Sequence, residues 1–64
     1  MNTSHIHCGT PDNFQRVRDA LLVLRVDHLQ LRPQEMTVYV QVPEGSNPDE
    51  HQDALTALAN AVTA

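Results

Sequence analysis

Three of the four histidines and the only cysteine carry the most chemistry this chain offers: His5, His7, Cys8 and, further on, His28. A His-x-His pair in extended backbone sets both rings on one face, and neutral imidazole suits zinc, nickel or copper. Cys8 falls on the opposite face by the same alternation. His28 is a ligand candidate only if its strand lies beside the first. His5 and His7 are therefore the candidate metal ligands, and a second copy across a strand edge could complete such a site. Ordinary solvated histidines are the simpler reading, so no metal or other cofactor is assigned.

Cys8 also invites comparison with thiol enzymes, because a thiol near a helix start can have a lowered pKa. His7-Cys8 superficially resembles the His-Cys-(x)5-Arg loop of cysteine-based phosphatases. Phe14 occupies the arginine position, Arg16 comes two residues late, and the run of small residues that would surround a phosphate is missing. The match fails, and the inward parity of Cys8 makes it a small buried apolar group. Ser4 and Ser46, the only serines, lie in no nucleophile motif. Asp49, Glu50 and Asp53 serve a helix start better than acid–base catalysis. A thin sandwich also leaves little room for a ligand pocket of roughly 300 Å³ or more. No enzyme is expected.

The elements that must position these residues follow from periodicity. Thr3–Cys8 alternates, with Ser4, Ile6 and Cys8 inward and Thr3, His5 and His7 outward. Gly9 ends it, and Thr10-Pro11-Asp12 starts a helix whose stripe is Phe14, Val17, Leu21 and Leu24, widened by Leu22. Two alternating runs follow. Val26–Arg32 sets Leu29 and Leu31 against His28, Gln30 and Arg32. Met36–Val42 sets Met36, Val38, Val40 and Val42 against Thr37, Tyr39 and Gln41. Pro33-Gln34-Glu35 reads as a hairpin turn between them. Asn47-Pro48-Asp49-Glu50 opens a second helix with buried Leu55, Leu58 and Val62. Both helix starts share Pro-Asp-x-x-Gln followed by Asp-Ala-Leu, a likeness that good helix starts reach by convergence.

The 64 residues make one domain, and sixteen of them are Leu, Ile, Val or Phe, enough for a thin core. The order strand, helix, strand, strand, helix predicts a small βαββα two-layer α+β sandwich. Its sheet order is 1-3-2, with both helices on one face. This connectivity resembles a ferredoxin-like fold truncated before its last strand, a likeness of topology that carries no function. In that order His28 is two strands from His5 and His7, about 9–10 Å away and too far for one ion. The first strand is then an edge, open to pairing with a second copy or with a partner's strand.

Charge narrows the partners. The net charge is −4; lysine is absent, and the four arginines all precede five acids that have no cation among them. Nucleic acid is disfavoured without a basic stripe, and so is an anionic membrane surface. No apolar run approaches the roughly 20 residues of a membrane span, and no secretory signal is visible. A cytoplasmic location is expected. With both helices on one side, the outward residues form an open face, where Tyr39 and Arg32 are candidate partner anchors beside His5, His7, His28 and Gln41. The sequence thus points to a non-enzymatic protein-binding module, an inhibitor, adaptor or regulator of a protein partner, dimeric through its first strand. A metal-binding or sensing module using His5 and His7 is the alternative. A single-stranded nucleic-acid binder through Tyr39 is a further one.

Overall fold

The computed structural model describes residues 2–26 and 28–64. Alternation makes β1 from Thr3–His7, and Gly9, at φ 82°, turns the chain out of it. Helix α1 spans Pro11–Val23. Thr10 caps it, its hydroxyl oxygen accepting from the Asn13 N–H at 3.2 Å, while Pro11 takes a position that needs no donor. Strands β2, Leu29–Arg32, and β3, Thr37–Gln41, are joined by a short 3-10 turn over Pro33–Glu35. Helix α2 spans Pro48–Thr63, and the side chain of Asn47 accepts from the N–H groups of Asp49 and Glu50.

The sheet is antiparallel in the order β1-β3-β2, as the connectivity predicts. His5 lies opposite Tyr39 on one side, and Gln30 lies opposite Tyr39 on the other. One face of the sheet supplies Ile6, Val38 and Val40 to a core shared with Phe14, Val17 and Leu21 of α1 and Leu55 and Ala59 of α2. The opposite face carries no helix. No helix among the described residues is long and apolar enough to cross a membrane.

The structure corrects several local expectations. Leu24 and Leu22 do not join the core; they are 60% and 56% exposed, and Val23 between them is 80% exposed. Helix α1 reaches its C-cap at Leu24, so all three lie at its end. It ends in a Schellman motif, with Val26 N–H donating to the Leu21 carbonyl and Arg25 N–H to that of Leu22. Arg25 takes the left-handed position, at φ 57°, where glycine is usual. Strand β2 is shorter than the expected Val26–Arg32. His28, at φ 58°, precedes it in left-handed backbone, so strand alternation does not set its side chain. Asp27, within that expected run, lies outside the described residues. Met36 is likewise left-handed, at φ 52°, where it closes the 3-10 turn, so β3 begins one residue later. Thr37, expected on the open face, is only 7% exposed. Its hydroxyl donates to the Glu35 carbonyl at 2.9 Å, and the His7 ring stands against it.

Candidate functional site

The register sorts the open face into rows. The central row is His5, Tyr39 and Gln30; the next is His7, Thr37 and Arg32. His5 and Tyr39 form a pair whose backbones do not bond each other, the kind that brings side chains closest, and their ring centroids are 6.1 Å apart. The Gln30 amide, turned with its oxygen toward the guanidinium, accepts from Arg32 Nη2 at 2.9 Å and Nε at 3.3 Å. His7 Nδ1 lies 3.3 Å from Thr37 Oγ1. Gln41 sits opposite Thr3, and its N–H reaches the His28 carbonyl at 3.5 Å. Five of the six anchors expected from the sequence thus share three adjacent strands, while His28 stands outside them. None of the outward strand positions holds a carboxylate, although the chain is acidic.

Among the described residues, no three His, Cys, Asp or Glu groups converge as ligands. Cys8 is half-buried, its Sγ 3.9 Å from the Ile6 carbonyl, and burial pushes its thiol pKa up. That direction is opposite to the one an activated nucleophile needs.

The edge of β1 holds a feature absent from the sequence reading. Asn2, Ser4, Ile6 and Cys8 turn their peptide groups toward β3, which leaves those of Thr3, His5 and His7 facing away from the sheet. There the side chain of Gln52, from α2, meets His5 twice. Its Oε1 accepts from the His5 N–H at 3.0 Å, and its Nε2 donates to the His5 carbonyl at 2.8 Å. Nε2 also donates to Thr56 Oγ1 at 3.2 Å, which steadies the amide. A primary amide has the donor and acceptor of a peptide group, so Gln52 takes the place of one residue of a fourth strand.

One residue earlier, Ser4 Oγ lies 2.6 Å from His51 Nδ1. Serine and imidazole at that distance have the atom types of a nucleophile and its base. Ser4 is 2% exposed, however, and among the described residues no carboxylate bonds His51. The pair instead satisfies a buried hydroxyl. The inward parity of Ser4 signalled that a partner was needed, but nothing in the sequence pointed to His51. Beside this histidine the structure opens an exposed cleft of about 560 Å³, lined by Val26, His28, Val40, Val42 and Glu44 among others. Its volume exceeds the roughly 300 Å³ for which so thin a sandwich is expected to leave little room.

Set beside protein-family models, curated proteins and solved structures, the chain matches none. The functional reading therefore rests on geometry.

Proposed function

We propose that this protein is a non-enzymatic protein-binding module, an inhibitor, adaptor or regulator whose recognition surface is the helix-free face of the sheet. The observation that supports this reading is the central row of that face. There the His5–Tyr39 ring pair lies beside the Gln30–Arg32 pair, with no carboxylate at any outward strand position. Tyrosine and arginine are enriched where interfaces concentrate their binding energy, and such a surface suits a partner segment that is acidic or rich in hydrogen-bond acceptors. Dimerisation through β1, expected from the sequence, is not part of this proposal, which concerns the helix-free face alone.

The test is affinity capture by the immobilised protein, repeated with Tyr39→Ala and Arg32→Ala, with the fold of each followed by circular dichroism. A partner engaged here loses about thirtyfold in affinity with each substitution, the effect of losing a hot spot of about 2 kcal/mol. Equal capture by both folded variants removes the sheet face from the reading. Salt-sensitive binding of a single-stranded oligonucleotide that Tyr39→Ala abolishes would replace the protein partner with nucleic acid.

A further inference from the structure

We infer that the outer edge of β1 is a docking site for an extended, basic segment of another protein, which pairs with Thr3, His5 and His7 in place of the Gln52 side chain. The inference concerns a different surface from the sheet face and does not depend on it.

The edge already displays the chemistry of its ligand. A single carboxamide meets the N–H and the carbonyl of His5, as the backbone of a pairing strand would. Both contacts are exposed to water, so their net contribution is small and they are readily exchanged for others. An incoming strand would reproduce them and add bonds to the outward peptide groups of Thr3 and His7.

There is also room for its side chains. Beside the edge lies a groove of about 290 Å³, between Ile6 and Cys8 of the β1 segment, Asn13 and Val17 of α1, and Asn60 and Thr63 of α2. Successive residues of a paired strand point to opposite faces, so every second residue of the newcomer would enter this groove.

Charge selects the occupant. On α2, Asp49 lies three residues before Gln52 and Asp53 three residues before Thr56, and the helix has no lysine or arginine. A two-fold joining of β1 edges would bring two such helices together with like charges facing. A lysine- or arginine-bearing segment meets the same acids favourably.

The probe is a capped peptide in which threonine alternates with lysine and valine, with a second peptide carrying glutamate for lysine. Amide exchange and chemical shifts of wild-type protein are followed during titration with each. We expect the lysine peptide to protect the amides of Thr3, His5 and His7 from exchange and the glutamate peptide to leave them unchanged. Gln52→Ala frees the edge and should tighten binding of the lysine peptide about tenfold. Absence of protection at millimolar lysine peptide overturns the inference, as does equal protection by both peptides. Sedimentation of Gln52→Ala as a dimer that binds neither peptide would assign the edge to a second copy instead.

Discussion

The two edges of the sheet are finished in opposite ways. At β1 the backbone is regular over five residues, and α2 bonds it from outside through Gln52, while His51 reaches Ser4 on the helix side. At β2 the strand has only four residues and is bounded by special backbone: Arg25 and His28 before it, Met36 beyond the turn that begins at Pro33, all left-handed without being glycine. Either device discourages unwanted pairing, the first by occupying peptide groups and the second by keeping the strand short. They differ in reversibility. A side chain can rotate away from an edge, whereas a strand bounded by turns cannot lengthen without remaking them. The edge with a removable cover is the one suited to exchange.

The comparison can be broken from the core outward. Ile6 of β1 is buried, whereas Leu31 of β2 is only partly covered. We expect Ile6→Ala to destabilise by about 2–4 kcal/mol and Leu31→Ala by about half as much, measured by urea unfolding. Equal losses would show that both edge strands are anchored alike. Next in size are the left-handed positions. Arg25→Gly removes a steric penalty at φ 57° and should stabilise by about 0.5–1 kcal/mol. A loss of stability there would mean that the side chain of Arg25 supports the helix end more than its backbone strains it. The smallest expected effect is at the cover itself. Gln52→Ala should lower stability by no more than about 1 kcal/mol while accelerating amide exchange at His5. A larger loss would make Gln52 a structural strut and remove the distinction in reversibility.

Much of this architecture was legible in the sequence, because it follows from local rules. Alternation placed Ser4 and Ile6 inward and His5 and His7 outward, and the Thr10-Pro11 and Asn47-Pro48 starts fixed where the helices begin. Strand order followed from connectivity. What escaped depends on distances between elements. Leu24 continues the stripe of α1 in period, but at the capped end of the helix it stays largely exposed. Thr37 has outward parity, yet the 3-10 turn and His7 cover it. Gln15 and Gln52 occupy the same position in the two Pro-Asp-x-x-Gln starts. Among the described residues only Gln52 bonds a strand edge, and packing decides that.

The bonds from Gln52 and His51 back to β1 join residues 47 positions apart. During synthesis β1 emerges first, and its central partner β3 follows some thirty residues later. At the usual few to twenty residues per second, the amide that covers His5 arrives seconds after the strand it covers. Gln52 lies eleven residues beyond the end of β3 at Gln41, so the paired strand keeps an uncovered outer edge for the time those residues take to emerge.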